Sequence, residues 1–338
     1  MKPRLDLVWH EGANELYFDR YGELEKFFDL KVYAFNRFQG RKFNEKRTNL
    51  HKYNGLFSNH WLTIISLKLI MDLIRSESRI IYLHQEPHSL IAFLVCLFCR
   101  DKKIFLDAAV INKRLNFNGF NFFERYVYRR ATGFFYRNDD VKDVLVSRGM
   151  PIVKAVRRLG NGVSSNTFYC NQNKPTNFII GYSGRVWRQK GIECLINLAN
   201  QGYKVNFCGP VADEDLLEEL LDSGCNYLGN LNKNELCDFY NNISLFILLS
   251  LPSPNWHEQF GRVVCGTPAI GSNTGFIPYL VGEKATFNAG DQDQIIKLVE
   301  EFSNSSKLND LLDEQLNRID AEFSWRAIAS TVYSELNK

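Results

Sequence analysis

The sequence predicts an α/β protein built from two tandem, doubly wound parallel sheets with helices on both faces. Three observations support this fold class. Short β-rich apolar runs alternate with helical patterns along the 338 residues, as they do in parallel sheets. The alternation is interrupted at 159–177 (LGNGVSSNTFYCNQNKPTN) by a stretch rich in Gly, Ser, Asn and Pro, which is typical of an interdomain linker. The length suffices for two domains with separate cores.

The first domain starts with an apolar strand that ends in a His-Glu-Gly turn, and strands and helices then alternate. Runs of β-branched and aromatic residues predict the strands, and apolar residues at helical spacing predict the helices. We expect strands at 5–10, 30–35, 80–83, 103–106 and 133–136, and helices at 17–28, 62–74, 90–99, 122–130 and 141–147.

The same alternation resumes after the linker and predicts a second doubly wound domain. Ligands of such sheets bind at the carboxyl ends of the strands, and the cleft between two such domains is a common binding site. We expect strands at 178–183, 204–209, 226–228, 245–249 and 268–271, helices at 191–200, 213–223, 233–241 and 293–304, and a helical segment at 307–338.

Composition and charge exclude several classes of protein. With 45% hydrophobic and 23% charged residues, the chain is not predicted to be disordered. A net charge of +3 does not indicate nucleic-acid binding. The longest apolar run has ten residues, 90–99, about half of a membrane span. No signal peptide is recognised at the start of the sequence. We therefore expect a cytoplasmic protein that is soluble or peripheral.

One segment has an uneven charge. Residues 37–53 contain six basic residues and one acidic residue. The segment is either a solvated loop or a surface for an anionic acceptor or an anionic membrane. Together with the apolar helix at 60–75, it allows association with the inner face of the plasma membrane.

The cysteine and aspartate patterns do not predict a metal site. Cys96 and Cys99 fall within the apolar run 90–99, where buried core thiols on a helix are expected. No second Cys pair or nearby His completes a zinc set. The D-x-D pattern of Asp291 and Asp293 is interpreted as a helix start. We expect that no metal or other cofactor is required.

Candidate binding residues follow the first strand of the second domain. Gly184 and Arg185 come directly after the strand at 178–183, and Lys190 precedes the helix at 191–200. Two cations at a strand tip and a helix start suit a diphosphate, although both could be solvated loop residues. The stretch is neither a P-loop nor a G-x-G-x-x-G fingerprint.

Polar residues also follow strands of the first domain. Gly12, in the turn after strand 5–10, allows the backbone to approach a ligand closely. His84 and Glu86 follow the strand at 80–83, where they could position or deprotonate an acceptor hydroxyl. The alternative is that His84 has a structural role.

Several segments together resemble the retaining GT-B glycosyltransferases of the family 4 group, also called glycosyl transferases group 1. The resemblance spans nearly the whole chain. In the second domain it rests on GYSGRVWRQKGIECL, VNFCGP, YLGNLNKNELCDFYNNISLFILLS, WHEQFGRV and CGTPAIGSNTGFIPYLVG. In the first domain and at the chain end it rests on IIYLHQEPHSL, NFFERYVYRRATGFFYRNDDVKDVL, LGNGVSSNTF and FSWRAIASTVYSEL.

The resemblance implies a domain organisation and a mechanism. An acceptor-binding domain at 1–160 would be completed by a C-terminal crossover helix at 323–338, and a linker at 161–177 would lead to a donor-binding domain at 178–322. A nucleoside diphosphate sugar would lie in the interdomain cleft. Its sugar would move to an acceptor hydroxyl with retention of anomeric configuration, while preorganised cations stabilise the departing diphosphate. Metal is usually not required in this fold.

The resemblance also assigns roles to residues. Arg185 and Lys190 match the diphosphate-binding pair, and Glu258 matches the first Glu of an E-x7-E motif that contacts the sugar. On this basis the expected catalytic residues are Arg185, Lys190, Glu258 and His84; the donor-binding residues are Gly184, Phe260, Gly261, Arg262 and Gly12; and the acceptor residues are Glu86 and Asp107.

The sequence departs from the family pattern at the E-x7-E motif. The chain reads EQFGRVVCGTP, so that about five residues, the second Glu among them, are missing relative to the family. Five residues are about 1.4 helical turns. Losing one hydrogen bond from a charged partner costs about 1.5–3 kcal/mol. We expect the missing residues to affect the activity more than the fold.

Three functional hypotheses follow. The first is an active retaining hexosyltransferase that uses a UDP- or GDP-sugar and a glycan or polyprenyl-linked acceptor in surface polysaccharide or glycolipid biosynthesis. The second is a catalytically weak or inactive homologue that binds a nucleotide, a glycan or a partner protein. The third is another two-domain enzyme, such as an epimerase or an NAD enzyme, and the missing G-x-G-x-x-G disfavours the NAD case. No nucleic-acid partner is expected.

Overall fold

A computed structural model gives the architecture of two compact units. It describes residues 2–38, 41–42, 47–57, 60, 62–109, 118–160, 162, 175–252 and 267–338. Unit 1 comprises Met1–Gly162 together with Trp325–Lys338, and unit 2 comprises Val163–Ser324.

The strands and helices alternate as a doubly wound fold requires. The strands are β1 (Arg4–Val8), β2 (Asp29–Phe35), β3 (Arg37–Phe38), β4 (Arg41–Lys42), β5 (Leu50–Tyr53), β6 (Ile80–Leu83), β7 (Lys103–Ala108), β8 (Gly133–Tyr136), β9 (Ala155–Arg158), β10 (Ile179–Ser183), β11 (Lys204–Cys208), β12 (Asn226–Tyr227), β13 (Leu245–Leu248), β14 (Ala269–Ser272) and β15 (Thr286–Phe287). The helices are α1 (Phe18–Phe27), α2 (Leu67–Arg75), α3 (Leu90–Phe98), α4 (Asn118–Arg130), α5 (Asp139–Ser147), α6 (Cys194–Asn200), α7 (Glu214–Asp222), α8 (Lys233–Asn241), α9 (Ile277–Val281), α10 (Gln292–Phe302), α11 (Ser305–Arg318) and α12 (Trp325–Leu336).

Each unit contains one parallel sheet whose strand order reverses once. The parallel sheet of unit 1 has the order β5-β2-β1-β6-β7-β8-β9, and that of unit 2 has the order β12-β11-β10-β13-β14-β15, while β3 and β4 form a separate antiparallel pair. Neighbouring strands of both sheets pair in parallel, which confirms the predicted fold class. The order reverses between β1 and β6 in unit 1 and between β10 and β13 in unit 2. Ligands bind at such reversals, at the carboxyl edge of the sheet.

The last helix of the chain completes the core of unit 1. The inward face of α12 (Ile328, Ala329, Val332 and Leu336) is buried in one cluster with Tyr21 and Leu24 of α1. A Cβ atom at Gly162 would lie 2.1 Å from the Trp325 ring, so the glycine lets the chain pass this ring closely.

Several helix predictions differ from the structure. Helix α4 begins at Asn118, before the predicted start at 122, and the short helix α9 was not predicted. Helix α2 begins at Leu67, later than predicted, because the Ser66 side chain caps it and Ile65 forms an antiparallel bridge with Leu56. Helix α6 begins at Cys194, because Gly191, with φ of 70°, ends a short 3₁₀ turn before it. The segment predicted as helical at 307–338 is divided, since Ser324 has an extended backbone between a π-turn and α12.

Two other predictions of local structure are confirmed. Cys96 and Cys99 are fully buried, and burial raises their thiol pKa values to about 12 and about 11, so both thiols are protonated at neutral pH. The Asp291 carboxylate accepts a hydrogen bond from the Gln294 N–H at 3.0 Å and caps α10. The D-x-D pattern is therefore a helix start.

None of the helices described is both long enough and apolar enough to cross a bilayer.

Gln315 joins α11 to strand β14 of unit 2. Its buried side chain accepts from the Ala269 N–H at 2.9 Å and donates to the carbonyl oxygens of Ala269 at 2.7 Å and Val281 at 2.9 Å. Since β14 reaches the carboxyl edge at Ser272, this amide helps to hold the edge in place.

We expect Gln315→Leu to lower the free energy of unfolding of unit 2 by about 3 kcal/mol, because a buried backbone group left without a partner costs about 1–3 kcal/mol. Hydrogen–deuterium exchange at Ala269–Ser272 and urea denaturation would measure the loss. Gln201→Leu, at an exposed position, is the control and should change stability by less than about 0.5 kcal/mol. Equal stability of the two variants would contradict the prediction.

Candidate functional site

Four neighbouring strands of unit 1 bring polar side chains to the carboxyl edge of the sheet. Trp9 and His10 follow β1, His84 follows β6, Asp107 lies at the end of β7 and Arg137 follows β8. Because the strands are parallel and adjacent, their ends meet at the reversal of the strand order.

The Asp107 carboxylate is the centre of a buried polar cluster, here called the Asp107 cluster. It accepts from Tyr82 Oη at 2.8 Å and from Arg137 Nη2 at 2.9 Å. Arg20 Nη2 lies 3.3 Å away and His84 Nδ1 lies 3.0 Å away. Arg20, Tyr82, Asp107 and Arg137 are all buried, so these contacts are made largely out of water.

The two arginines keep Asp107 ionised. Burial alone would raise the pKa of Asp107, but Arg137, His84 and Arg20 hold it below its ordinary value. Burial, and then the Asp107 charge, raise the pKa of Tyr82, so Tyr82 stays a neutral donor. With both guanidinium groups charged, the cluster carries one net positive charge.

His84 is neutral at physiological pH. Burial lowers its pKa to about 3, although Asp107 acts in the opposite direction. Its Nδ1 atom also lies 3.1 Å from Arg20 Nη1, which can only donate. We expect Nδ1 to carry the proton and donate to Asp107, because this contact is the shorter one and Arg20 has two other acceptors, Tyr82 and Asp107. Nε2 then has a free lone pair and can act as a base.

A cavity opens beside this histidine. Its volume is about 230 Å³, large enough for a few water molecules or for one edge of a sugar ring. The Trp9 ring packs against the His84 ring with centroids 4.0 Å apart. The cavity, here called the strand-end cavity, is lined by Trp9, His10, Glu11, His84, Gln85, Glu86, Asp107 and Ala109.

The other predicted residues of unit 1 have local structural contacts. Glu86 is buried and its Oε1 atom accepts from the Ala109 N–H at 2.8 Å, which links the loops after β6 and β7 across the cavity. Gly12 lies in the turn after β1, where its carbonyl accepts from Tyr21 Oη at 2.9 Å. A Cβ atom at Gly12 would lie 3.0 Å from that hydroxyl, so glycine permits this close packing.

In unit 2, two glycines bring the ends of β10 and β11 unusually close. The Gly184 N–H donates to the Cys208 carbonyl at 3.0 Å. Gly209 has a φ of 132°, and a Cβ atom there would lie 2.0 Å from the Gly184 carbonyl oxygen. Only glycine fits this contact, which fixes the backbone from which Arg185 projects.

Arg185 and Arg188 lie on the same loop but have different partners. Arg188 contacts three carboxylates, those of Glu193 at 3.7 Å, Asp213 at 3.5 Å and Glu219 at 2.5 Å. Arg185 is exposed; its guanidinium lies 5.8 Å from the Trp187 ring centroid, and it forms no ion pair within the described parts of the chain. The charge of Arg185 is therefore available to a ligand, whereas that of Arg188 is largely compensated.

The remaining predicted donor residues fall into two groups. Lys190 is half-buried at the end of the 3₁₀ turn Arg188–Lys190, directly before Gly191. Glu258, Phe260, Gly261 and Arg262 lie outside the described residues. The nearest described residues on either side of them are Pro252, which follows β13, and Thr267.

Sequence reasoning missed three members of the Asp107 cluster. Arg137 directly follows β8, so the rule that strand ends meet at one edge could have found it. Tyr82 lies inside β6 and Arg20 lies inside α1. In the sequence, Tyr82 resembles an ordinary core residue and Arg20 resembles an ordinary surface residue. Tyr82 reaches Asp107 because β6 pairs with β7, whereas only the packing of α1 against the sheet reveals the contact of Arg20.

Part of the chain is similar to a known family of proteins. Residues 168–318 match the family model described as glycosyl transferases group 1. The chain is 25% identical to the capsular polysaccharide biosynthesis glycosyltransferase CapM of Staphylococcus aureus, in a match that covers 65% of this chain and 66% of that protein.

Solved structures of low sequence identity share the whole fold. The Anabaena protein Alr3699/HepE, solved in complex with UDP, superposes with a TM-score of 0.72 at 14% identity over 100% of both chains. A sucrose-phosphate synthase from Thermosynechococcus elongatus gives a TM-score of 0.66 at 16% identity over 99% of each chain. A glycosyltransferase from Rickettsia africae gives 0.71 at 13% identity, over 100% of this chain and 99% of that one. These likenesses confirm the predicted GT-B fold.

We expect His84 to remain neutral, with the proton on Nδ1, from pH 8 to pH 5, because its pKa is about 3. Since this folded-state pKa lies below the ordinary value of 6.5, unfolding takes up a proton at low pH. The contribution of neutral His84 to the free energy of unfolding is therefore complete above pH 6.5 and is lost as the pH falls toward 3. Long-range ¹H–¹⁵N spectra of the imidazole, recorded across this range, would identify the tautomer.

Two variants serve as controls for the tautomer. Tyr82→Phe removes one donor to Asp107 but keeps the carboxylate charge, so the Nδ1–H form should persist. Asp107→Asn removes the charge and should weaken the preference for that form. An Nε2–H tautomer in the wild type would contradict the assignment.

Proposed function

We propose that this chain, which has the GT-B fold, is a member of the glycosyl transferases of group 1 and transfers a sugar from a nucleoside diphosphate sugar to an acceptor hydroxyl. The observation that carries this proposal is the uncompensated charge of Arg185 at the strand-order reversal of unit 2, inside the segment that matches the family model. A guanidinium at this position suits the two phosphates of a nucleotide.

The donor side of the reaction requires stabilisation of a leaving diphosphate. The bond between the anomeric carbon and the phosphate oxygen breaks, and negative charge accumulates on that oxygen. Arg185 and Lys190, fixed in place before the reaction, would stabilise this charge. Glu258 would contact the sugar, and Gly184 would let the backbone approach the phosphates. This reaction would proceed with retention and without a metal ion.

Two relatives support a choice of donor and product class. Structures of Alr3699/HepE contain UDP, UDP with glucose, or UDP-glucose, which favours a UDP-sugar among the candidate donors. CapM is a capsular polysaccharide biosynthesis enzyme by name, which favours a glycan or lipid-linked glycan acceptor. The proposed role is therefore hexosyl transfer in surface polysaccharide assembly.

The acceptor side is assigned to the strand-end cavity of unit 1. Neutral His84, with Nδ1–H bound to Asp107, would accept a hydrogen bond from the acceptor hydroxyl through Nε2. Glu86 would act by linking the two cavity loops, since its carboxylate already binds the Ala109 N–H. The buried Trp9 ring, packed against the His84 ring at 4.0 Å, would help to hold that histidine in position.

A lipid-linked acceptor would bring the protein to a membrane surface. Helix α2 has three exposed apolar side chains on successive turns, Leu67, Met71 and Ile74, with 65%, 48% and 45% exposure. Lys68 and Arg75 are exposed on the same helix. A helix with apolar and basic residues side by side suits peripheral contact with an anionic bilayer.

We expect Arg185→Ala to weaken UDP binding about ten- to a hundredfold, because a hydrogen bond to a charged group contributes about 1.5–3 kcal/mol. Isothermal calorimetry with UDP, GDP and their sugars would measure the change and identify the base. Arg188→Ala is the matched control, since this arginine is already paired with acids, and UDP affinity should change by less than about threefold. Equal losses in both variants would contradict the assignment.

We expect His84→Ala to reduce the rate of sugar transfer to an acceptor by about a hundredfold or more, with UDP affinity unchanged. The rate of UDP-sugar hydrolysis, which uses water in place of the acceptor, should fall less. His51→Ala, exposed on β5, is the control. A wild-type protein that binds UDP yet transfers no sugar from any donor tested would favour the inactive-homologue hypothesis.

A further inference from the structure

A second cleft in unit 1 is lined by three arginines and shares no residue with the strand-end cavity. Its volume is about 400 Å³. Helices α4 and α5 both end at the amino edge of the sheet, because α4 leads into β8 and α5 leads into β9. This cleft, here called the arginine cleft, is lined by Arg125, Tyr128, Arg129, Ser147, Arg148, Gly149 and Pro151.

The positive charge of the arginine cleft is only partly compensated. Glu124 is buried beside it, where its Oε1 atom accepts from Tyr128 at 2.8 Å and lies 3.5 Å from Arg148 Nη1. The buried Nη2 atom of Arg148 has no hydrogen-bond partner. Arg125 and Arg129 are exposed and form neither an ion pair nor a side-chain hydrogen bond with the described residues. Glu124 therefore compensates Arg148, and no carboxylate of the described residues pairs with Arg125 or Arg129.

These arginines are not needed to cap the helix that carries two of them. Cations near a helix C-terminus often bind its last carbonyl groups. Here Lys154 has that role, because its Nζ atom donates to the carbonyls of Tyr128 at 2.8 Å, Arg129 at 2.8 Å and Ala131 at 2.7 Å. The guanidinium groups of Arg125 and Arg129, spaced i and i+4 on α4, repel each other with no compensating contact.

We propose that the arginine cleft binds a phosphate group. Guanidinium forks present paired N–H donors that match phosphate oxygens, and two of the three forks have no described protein acceptor. The Ser147 hydroxyl also lines the cleft, but its proton is donated to the Val144 carbonyl at 2.8 Å, so the arginines are the donors available to the phosphate. A bound phosphate would relieve the repulsion between Arg125 and Arg129.

The phosphate could belong to a membrane lipid or to a soluble ester, and the surroundings favour the lipid. Ile152 and Val153, which follow Pro151 at the rim of the cleft, are 59% and 89% exposed. Phe122, one turn before Arg125 on α4, is 62% exposed. Apolar side chains next to a phosphate site match the boundary between lipid headgroups and acyl chains, whereas a soluble ester would not contact them.

The test uses the full chain and the double variant Arg125→Glu/Arg129→Glu. In one arm, flotation measures binding to phosphatidylcholine vesicles with and without phosphatidylglycerol. In the other arm, calorimetry measures binding of glycerol 3-phosphate. Lys204→Glu/Lys297→Glu changes the net charge equally at exposed positions of unit 2 and is the matched control. Thermal unfolding would verify that all variants are folded, and Arg125→Gln/Arg129→Gln provides a milder replacement.

We expect binding in at least one arm to fall by about tenfold or more in the Arg125/Arg129 variants, to weaken at high salt, and to persist in the control. A loss confined to the vesicle arm would assign the phosphate to a lipid headgroup, and a loss confined to the soluble arm would assign it to a free ester. Absence of binding in both arms, or equal binding by the wild type and the Arg125/Arg129 variants, would overturn the proposal.

Discussion

The interior of unit 1 depends on the charge of one carboxylate. Arg20 and Arg137 are buried where water cannot solvate them, and Asp107 is the anion that both contact. A buried charge that loses its partner costs several kcal/mol. The same carboxylate orders His84 and accepts from Tyr82, so α1 and the ends of β6, β7 and β8 are connected through one side chain. The shape of the strand-end cavity follows from these contacts.

Periodicity predicted the fold because both sheets are simple repeats of strand and helix. The errors occurred where a side chain or a special backbone conformation overrides the apolar pattern: the Ser66 cap delays α2, and Gly191 delays α6. Short strands such as β15 were missed because two residues, Thr286–Phe287, carry no periodic signal. Family resemblance added the GT-B fold, which periodicity alone cannot distinguish from other pairs of doubly wound sheets.

The candidate sites were predictable to the extent that they lie at strand ends. Arg185, His84 and Asp107 all lie within two residues of the end of a strand, so the parallel topology brings them to the carboxyl edges. Arg20 reaches Asp107 from a helix separated from it by 87 residues, and no local pattern indicates such a contact. Likewise, the sequence contains both Arg185 and Arg188, but only the three acids around Arg188 show which charge is available to a ligand.

The position of α12 has a consequence for the order of events on the ribosome. Unit 2 is one continuous stretch of chain, Val163–Ser324, whereas unit 1 needs both Met1–Gly162 and Trp325–Lys338. The apolar faces of α1 and the neighbouring strands therefore stay uncovered until Trp325–Lys338 have been synthesised, because the residues that bury them follow the whole of unit 2 in the chain. Unit 2 can fold before unit 1 is complete, and a chain truncated before Trp325 would contain all of unit 2 but a first unit with an exposed apolar surface.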